Sequence, residues 1–389
     1  MDIYEPSEDS YLLQKWVKKY AKRAVLDVGT GSGIQALTAA NKKSVSKVVA
    51  VDINGTAIAN LKKKVNDERI TNLKPLVSNL FSSLQETFDC IIFNPPYLPQ
   101  DKGIEDIAIY GGKKGWEISD IFFSQVSAHL KQNGFILYLF SSHTNLSKVH
   151  TIIANYGFIF EKLDELSLAF EKLFVYKISK SLLLKSLEKK GITHFHYFTK
   201  GKRGLIYRAI LKDKKGDKID VAIKVKNPAS DAQKRIIHEQ RTLKFLNKKN
   251  IGPTLLFTSK DYFVYRFAEG DFFPNFITSA SLLDIQKVIF KILEQCYTLD
   301  LLHLNKEEMH RPLRHIIISN SSSVTLLDFE RTSPSKKPKN VTQFLDYVGK
   351  ISPQLFQRGY VVDRQKLRRV SQQYKKKEIL FDDMLKTLP

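Results

Sequence analysis

The sequence predicts a doubly wound α/β sheet in the first half of the chain and a smaller α+β domain in the second. Between residues 24 and 178, continuous apolar runs of strand length alternate with amphipathic helical segments. That pattern is typical of a mostly parallel sheet covered by helices on both faces. From about His194 the pattern changes to strands joined by short turns, which indicates an antiparallel sheet. A length of 389 residues also favours two domains over one.

The elements of the first domain follow one another in a regular order. The segments "AVLDVG", "KVVAVDI", "DCIIFNP", "FILYLFSS" and "KLFVYKIS" predict buried strands. The segments "IQALTAANKK", "GTAIANLKKKVND" and "SDIFFSQVSAHLKQNG" predict helices, the last of which ends at its glycine. The segment "SKSLLLKSLEKKG" then predicts a polar linker helix. We therefore place the first domain at residues 1–180 and the linker at 181–193.

The second domain is predicted to span residues 194–389. Strands are predicted in "HFHYFTKGKRGLIYRAIL", "DVAIKVK" and "YFVYRF", and a helix in "DAQKRIIHEQRTLKFLNKKN" ends before the glycine of "IGP". The pattern is helical again from Ser279 to about Leu302. After Arg331 the sequence is polar and basic, and we expect a basic C-terminal tail that is partly helical.

Composition limits the classes of function. The net charge of +22 and the pI of about 9.6 favour association with RNA or the ribosome, although a lysine-rich proteome would give the same numbers. Only two cysteines occur, Cys90 and Cys296, which excludes a disulfide scaffold and a zinc site made of cysteines. The N-terminus has no apolar signal-peptide core, and no apolar run is long enough for a membrane span. We expect a cytoplasmic protein that does not enter a membrane.

A glycine-rich turn, "DVGTGSG", follows the first strand from Asp27 to Gly33. Its glycines let the backbone turn sharply and approach a ligand closely. Asp27 stands where a carboxylate can meet an ammonium group, and Asp52 ends the next strand, where an acid can accept both hydroxyls of a ribose. These two acids favour S-adenosylmethionine over a nicotinamide dinucleotide. A glycine turn that serves packing alone is the other interpretation.

The motif "NPPY" follows the apolar strand "DCIIF" and begins at Asn94. Two consecutive prolines fix φ and remove two N–H donors, so nearby carbonyls are left to accept hydrogen bonds from a substrate NH₂ group. The Asn94 side chain adds an acceptor, and Tyr97 offers a flat face to a planar amide or base. Because the motif ends a third strand of the same predicted crevice, it predicts methyl transfer to a planar NH₂ nitrogen. Positioning then supplies most of the rate.

These residues resemble the class I S-adenosylmethionine-dependent methyltransferases, and within them the HemK family of protein-glutamine methyltransferases. The resemblance covers about residues 3–178 and includes "YEPSEDSYLL" (Tyr4–Leu13), "DVGTGSG", Asp52, "NPPY" and "YGGKKGWE" (Tyr110–Glu117). The first and last segments are similar to the short, archaeal and eukaryotic-type branch. The resemblance implies a Rossmann-like sheet, S-adenosylmethionine as cofactor, and N5-methylation of a glutamine in a peptide chain release factor.

The resemblance also implies roles for individual residues. Asn94 and the Pro95 backbone would hold the glutamine amide, within a catalytic group of Asn94, Pro95, Pro96 and Tyr97. The cofactor-binding group would be Asp27, Gly29, Thr30, Gly31, Ser32, Gly33, Asp52, Ile53, Asn79, Leu80 and Asn94. Asn79 departs from the family, which often has an acid there, and this predicts a weakened contact with adenine. The branch often works with a small zinc-binding activator subunit, which the resemblance implies as a partner.

The second domain carries nucleotide-site features in a familiar order. A turn with Gly201 and Gly204 precedes the strand that bears Lys224, as a protein-kinase-type phosphate site requires. Glu239 lies on the next predicted helix, where it can pair with that lysine. Asp328 in "VTLLDFERT" follows an apolar strand, at the place of a metal-binding acid.

Residues 194–332 resemble small atypical kinases of the RIO-like kind, which have an α+β protein-kinase-like fold. The resemblance implies ATP and Mg²⁺, with Asp328 as the Mg²⁺ ligand. The segment "HLNKEEMHRPLRHIII" contains no His-Arg-Asp, so Glu308 would replace the catalytic Asp, and His315 or Asn305 the metal-binding Asn. "LDFE" also replaces Asp-Phe-Gly. An active serine/threonine kinase or ATPase and a nucleotide-binding or purely structural domain both remain open.

The principal prediction is therefore a protein-glutamine methyltransferase fused to a kinase-like domain. One alternative is methylation of N6 of adenine or another nucleic-acid nitrogen, because that group is also a planar NH₂. Against it, the sequence has no aromatic and basic target-recognition segment of the kind that base flipping needs. Another alternative is a kinase, ATPase or pseudokinase scaffold whose first domain only senses S-adenosylmethionine.

Overall fold

The computed structural model describes residues 3–99, 111–201, 204–226 and 233–388. Tyr110 of "YGGKKGWE", and Lys202 and Arg203 of the glycine turn in the second domain, lie outside the described residues. The chain divides into two compact units. One comprises Met1–Tyr197 with Arg208–Ile219, and the other Phe198–Tyr207 with Asp220–Pro389. The functional boundaries at residues 180 and 194 stay a prediction.

The first unit contains every strand and helix that the sequence predicts, in the predicted order, together with four elements that were not predicted. Its elements are α1 (Glu8–Tyr20), β1 (Arg23–Val28), α2 (Ile34–Ala40), β2 (Val45–Asp52), α3 (Gly55–Asp67), β3 (Leu73–Val77), β4 (Phe88–Phe93), α4 (Glu117–Val126), β5 (Leu130–Ser141), α5 (Leu146–Asn155), β6 (Phe158–Ser167), β7 (Lys172–Lys180) and α6 (Leu182–Glu188). The four that were not predicted are α1, β3, α5 and β6. The segment predicted as a linker helix forms α6, whose Leu184 and Leu187 are buried.

Seven described strands form one sheet in the order β3-β2-β1-β4-β5-β7-β6. The first five of these are parallel, and β7 pairs antiparallel with both β5 and β6. The strand order reverses between β1 and β4, and ligands of such sheets bind at the carboxyl ends of the strands beside that switch point. Asp27, Asp52 and Asn94 lie at or just beyond the carboxyl ends of β1, β2 and β4.

One predicted helix boundary is wrong. The helix expected to end at Gly134 ends at Val126, and β5 begins at Leu130. The pairing of β4 with β5 shifts register between Phe88 and Cys90, where a Cβ on Gly134 would lie 3.0 Å from the Phe88 carbonyl oxygen. The glycine therefore permits a close approach of two strand backbones and does not end a helix.

The rest of the chain forms short strands followed by helices. The elements are β8 (Ile192–Lys200), β9 (Gly204–Lys212), β10 (Lys218–Lys226), α7 (Gln233–Leu246), β11 (Leu255–Thr258), β12 (Tyr262–Arg266), β13 (Asp271–Phe272), α8 (Phe273–Ser279), α9 (Leu282–Leu301), β14 (Leu304–Asn305), β15 (Ile316–Ile318), β16 (Val324–Leu326), β17 (Ser333–Pro334), α10 (Asn340–Lys350), α11 (Ser352–Phe356), α12 (Arg364–Lys376) and α13 (Phe381–Lys386). A five-stranded sheet has the order β11-β12-β10-β9-β8, and β12 pairs antiparallel with both β10 and β11, as the short turns predict.

The basic segment after Arg331 is helical, and its helices contribute to a hydrophobic core. Helices α10 to α13 contribute Phe344, Val348, Leu367, Phe381 and Met384 to the hydrophobic core that also includes α9. The many lysines and arginines of this segment occupy its exposed faces and mask an amphipathic pattern. Within the described residues, no helix is both long and apolar enough to cross a bilayer.

Candidate active site

A cavity of about 410 Å³ lies over the carboxyl ends of the parallel strands of the first unit. Its volume is that of an ordinary small-molecule site. The structure brings almost all the predicted residues of the first domain to its wall: Asp27, Gly29, Thr30, Gly31, Ser32, Asp52, Ile53, Asn79, Leu80, Asn94, Pro95, Pro96 and Tyr97. Gly33 does not line the cavity but forms the turn directly before α2.

Asp27 is a buried carboxylate at the cavity wall, with only 2% of its surface exposed. Its Oδ2 accepts hydrogen bonds from Thr30 Oγ1 at 2.6 Å and from the Ala36 backbone N–H at 3.0 Å. Burial raises the pKa of Asp27 to about 7, although both hydrogen bonds oppose the shift. A cation bound beside this carboxylate would relieve the cost of burying its charge.

Asp52 links two loops of the cavity. Its Oδ2 accepts a hydrogen bond from the Gly31 N–H at 2.9 Å, and its Oδ1 accepts one from the Asn54 N–H at 2.8 Å. These bonds fix the carboxylate at the end of β2. Ile53 and Asn79, both exposed, stand on the same wall, where an adenosine would extend from the ribose position.

The Asn94 amide is held by a residue that sequence reasoning did not select. Asn94 Nδ2 donates a hydrogen bond to Asp9 Oδ2 at 2.7 Å, and the other oxygen of Asp9 accepts bonds from the Tyr4 hydroxyl and the Ser10 N–H. Asn94 Oδ1 is buried and has no hydrogen-bond partner within the described part of the chain. The Asp9 carboxylate therefore decides which end of the amide remains available. The only sequence signal was the position of Asp9 within "YEPSED".

The segment that begins at Gly111 packs against the backbone of the "NPPY" loop. The Gly111 N–H donates to the Leu98 carbonyl at 3.0 Å. A Cβ on Gly115 would lie 2.5 Å from the Tyr97 carbonyl oxygen, so only glycine permits this approach. Thr144 Oγ1 donates to the same carbonyl at 3.1 Å. The "GGKKG" segment thus fixes the course of the backbone after the two prolines.

The charges of the cavity are of one sign. The charged side chains that line it within the described residues are Asp9, Asp27, Asp52 and Glu171, and none of these lining residues is Lys, Arg or His. Such a wall fits a cationic ligand, and S-adenosylmethionine carries an ammonium and a sulfonium group. The same wall opposes the approach of phosphate groups.

A second cluster of charged residues lies in the other unit. Lys224 Nζ is 2.6 Å from Glu239 Oε2 and 3.2 Å from Asp328 Oδ1. Burial alone would lower the pKa of Lys224, but the two carboxylates raise it above its usual value. For Asp328, the opposing effect of burial is outweighed by Lys224 and Lys306, and the pKa falls to about 2. The three side chains meet as the sequence order predicts.

The glycine turn and the acids around Asp328 complete this cluster. The Gly201 N–H donates to the Gly204 carbonyl at 2.9 Å, and a Cβ on Gly204 would lie 3.4 Å from Lys224 Cε. Carboxylate oxygens of Glu239, Asp328 and Glu330 lie within 4.8 Å of one another. Oxygen donors of this kind fit Mg²⁺, and the lysine beside them fits the phosphates of ATP.

The residues expected to replace the catalytic loop are only partly brought together. Glu308 is held by Lys306, whose Nζ is 3.2 Å from Glu308 Oε2. His315 Nε2 is 3.9 Å from Asp328 Oδ2, and burial, followed by the charge of Lys306, lowers the pKa of this histidine. Asn305 does not join them, because its Oδ1 accepts a hydrogen bond from the Lys339 N–H at 2.9 Å.

Two known protein families match different parts of the chain. Residues 7–156 match the methyltransferase small domain family, and residues 192–343 match the protein tyrosine and serine/threonine kinase family. A putative protein N5-glutamine methyltransferase of Methanocaldococcus jannaschii is 36% identical over 179 residues, which are 45% of this chain and 90% of that protein. A release factor glutamine methyltransferase of Koribacter versatilis is 36% identical over 126 residues, 29% of this chain and 44% of that protein.

A solved structure is also similar to part of the chain. It is that of the E. cuniculi Mtq2–Trm112 complex, described as responsible for the methylation of the translation termination factor eRF1. The similar chain is 28% identical, with a TM-score of 0.38, and the match covers 46% of this chain and 100% of that one. The sequence matches confirm the predicted combination of a methyltransferase sheet with a kinase-like domain. The chain therefore belongs to the HemK-type family of protein glutamine methyltransferases, and it carries a protein-kinase-like domain after the methyltransferase region.

Proposed function

We propose that the first domain transfers a methyl group from S-adenosylmethionine to the side-chain amide nitrogen of a glutamine in a peptide chain release factor. The observation that carries this proposal is the Asn94 amide. Its Nδ2 is fixed by Asp9, its Oδ1 is buried without a hydrogen-bond partner among the described residues, and Asn94 is one of the residues that line the cavity. A buried acceptor without a partner is costly, and a substrate N–H would satisfy it.

The residues of the motif then act by orientation. Asn94 Oδ1 accepts one N–H of the glutamine amide, and the Pro95 carbonyl accepts the other, so the nitrogen is held within the cavity. The Tyr97 ring lines the same wall and packs against the planar amide. When bound, S-adenosylmethionine supplies an electrophilic methyl group. The nitrogen would bond to the methyl carbon as the bond from that carbon to sulfur breaks, S-adenosylhomocysteine would leave, and the displaced N–H proton would pass to water. Because neither contact removes a proton beforehand, the expected rate enhancement comes from proximity and alignment.

The charge of the cavity supports a polypeptide over a nucleic acid as the acceptor. A nucleobase arrives with phosphates on either side, and these would meet Asp9 and Glu171 at the wall with no lining lysine or arginine among the described residues. A glutamine on a polypeptide brings no such charge. A release factor as the substrate is supported by the Koribacter relative, which is named a release factor glutamine methyltransferase.

Labelled S-adenosylmethionine tests this proposal on three acceptors offered separately: a purified release factor, bulk tRNA and bulk rRNA. We expect label on a single glutamine of the release factor, located by mass spectrometry, and a loss of about a hundredfold or more in Asn94→Ala. The chain is assayed alone and with a small zinc-binding activator subunit of the kind that the family resemblance implies. Label on RNA and none on the release factor would favour nucleic-acid methylation.

A second function is supported by the charged cluster of the kinase-like domain. We propose that this domain binds ATP with Mg²⁺, because the buried Lys224 and Glu239 pair with each other and the lysine also reaches the half-exposed Asp328, beside the Gly204 turn. Lys224→Ala and Asp328→Ala should abolish ATP binding and turnover while glutamine methylation continues. ATP binding without turnover in the wild type would make the domain a pseudokinase.

A further inference from the structure

Lys306 is a fully buried lysine in the second unit, with 0% of its surface exposed. Its Nζ donates to the main-chain oxygen of Asp328 and to Glu308 Oε2, and lies 4.8 Å from the centre of the Phe329 ring. Taking an ammonium out of water is expensive unless paired groups compensate it. The buried charge of Lys306 is compensated by Glu308 and by the Asp328 carbonyl. The kinase resemblance assigns the first to the catalytic loop and the second to the metal-binding acid.

Lys306 contacts the backbone of Asp328, a residue whose backbone conformation is rare for residues other than glycine. Asp328 has φ +61°, in the left-handed region. In that conformation its Oδ1 lies 3.2 Å from Lys224 Nζ. Such backbone persists only where the surroundings impose it, and the hydrogen bond from Lys306 acts on the carbonyl of Asp328 itself.

The segment that carries Lys306 has a rigid support. The Lys306 N–H donates to Asn340 Oδ1 at 2.7 Å, and Asn340 Nδ2 donates to Asp300 Oδ1 at 2.7 Å and to the Leu304 carbonyl. Asn340 is itself fully buried at the start of α10, and Asp300 belongs to α9. The position of the Lys306 backbone is therefore set by two packed helices.

We propose that Lys306 is a positioning residue of the nucleotide site: it holds Asp328 and Glu308 in the arrangement that Mg²⁺ and the phosphates of ATP require. This inference rests on the proposed ATP binding of the kinase-like domain. Glu308 is 9% exposed at its side chain and contacts the same ammonium group as the Asp328 carbonyl. The sequence motif that lacks a His-Arg-Asp triplet thus retains a cationic link to the metal-binding acid, made by a lysine.

If Lys306 had only a structural role, nucleotide affinity would return together with stability when the charge that it balances is also removed. The positioning role predicts that stability returns and affinity does not. Lys306→Met leaves Glu308 buried without its cation, which lowers stability for a reason unrelated to ATP. The double variant Lys306→Met/Glu308→Gln removes that unpaired charge, so we expect most of the lost stability to return. The hydrogen bond to the Asp328 carbonyl stays absent in the double variant, and the loss in nucleotide affinity should therefore remain.

The experiment uses the full chain and a fluorescent ATP analogue, titrated with and without Mg²⁺, together with thermal melting. We expect both Lys306 variants to lose about tenfold or more of the Mg²⁺-dependent affinity, the size of one lost charged hydrogen bond. Lys291→Met is the matched control, because Lys291 Nζ also donates to a backbone carbonyl, that of Ser322, but outside this cluster. Its affinity should equal that of the wild type. Unchanged Mg²⁺-dependent affinity in the double variant would overturn the inference.

Amide hydrogen exchange on residues 326–330 gives a second readout that needs no nucleotide. We expect faster exchange in both Lys306 variants and wild-type exchange in Lys291→Met. If the wild type binds no ATP but exchange accelerates in this way, the proposed ATP binding fails and the positioning of Asp328 by Lys306 stands. If exchange is unchanged, the positioning role fails whatever the affinity.

Discussion

Asp9 Oδ2 accepts a hydrogen bond from Asn94 Nδ2 at 2.7 Å, across 85 positions of the sequence. One residue lies in the first turn of α1 and the other directly after β4. An amide that donates through Nδ2 in this direction must present Oδ1 on its other side. The pair therefore fixes Asn94 as an acceptor before any substrate arrives, which is the state that an incoming NH₂ group requires.

Replacing Asp9 by Ala should lower kcat for glutamine methylation by about tenfold to a hundredfold. The Asn94 amide would then be free to turn or shift by about an ångström, which costs rate rather than cofactor affinity. Steady-state kinetics together with cofactor binding would measure the two effects separately. Glu8→Gln is the matched control, because Glu8 is an exposed acid in the same helical turn. A kcat of Asp9→Ala equal to that of the control would contradict the role of the pair.

Binding of S-adenosylmethionine should strengthen as the pH rises towards 7. Burial raises the pKa of Asp27 to about 7, so below that pH the carboxyl must release a proton before it can pair with an ammonium group. We expect Kd to fall by about tenfold per pH unit between pH 5 and pH 7 and to level off above it. Calorimetry in buffers of different ionisation enthalpy would also detect the released proton.

Asp27→Asn is the control for this dependence. The Kd of Asp27→Asn for S-adenosylmethionine should be higher than that of the wild type at pH 8, and it should be nearly independent of pH. The stability of the apo protein provides a second check. Because the folded pKa of Asp27 is raised from 3.8 to about 7, its contribution to wild-type stability should be lost as the pH rises from about 4 to about 7 and should stay constant above that, whereas Asp27→Asn should keep its melting temperature. Parallel pH profiles of the two proteins would rule out Asp27 as the titrating group.

Asp52→Ala should weaken cofactor binding without much effect on kcat at saturating cofactor. The carboxylate proposed to hold the ribose also accepts the Gly31 N–H, so its loss removes a contact made equally in ground and transition states. We expect Kd to rise about tenfold or more. Equilibrium binding and kcat at saturation are the measurements, and a lowered kcat with unchanged Kd would argue for a role in the chemical step.

Lys224→Met should destabilise the second unit by about 3–5 kcal/mol, because it leaves the buried Glu239 carboxylate without its cation. Denaturant unfolding of the full chain would measure the loss. In Lys224→Met/Glu239→Leu the unpaired charge is absent, and stability should largely return. No recovery in the double variant would show that the lysine contributes mainly through packing.

The helices after Arg331 should prove essential to the stability of the second unit. Phe344→Ala removes a ring with 0% exposure from the core and should cost about 3–5 kcal/mol. Phe356→Ala, at a position where the ring is 66% exposed, should stay within about 0.5 kcal/mol of the wild type. Equal stability of the two variants would mean that this segment is a dispensable tail.

The order of most elements and the main cavity residues follow from local sequence patterns. Strands that alternate with helices imply a parallel sheet, and the carboxyl ends of its strands meet at one edge, so Asp27, Asp52 and Asn94 were expected to share one crevice. In the same way, the order of Lys224, Glu239 and Asp328 predicted an ion cluster that the structure contains. Both predictions depend on local patterns whose spatial meaning is fixed by chain topology.

The partners that position those residues are visible only in the tertiary structure. Asp9 and Lys306 stand in polar segments that a local pattern assigns to solvent, yet they have 4% and 0% of their surface exposed and pair with acceptors or donors distant in sequence. The basic segment of α10 to α13 likewise enters the core. For Asp9 and Lys306 the physical reason is that burial of a charged residue depends on partners from distant parts of the chain, and the adjacent residues do not specify those partners. In α10 to α13 it is the apolar face that is buried, while the lysines and arginines remain on the exposed faces.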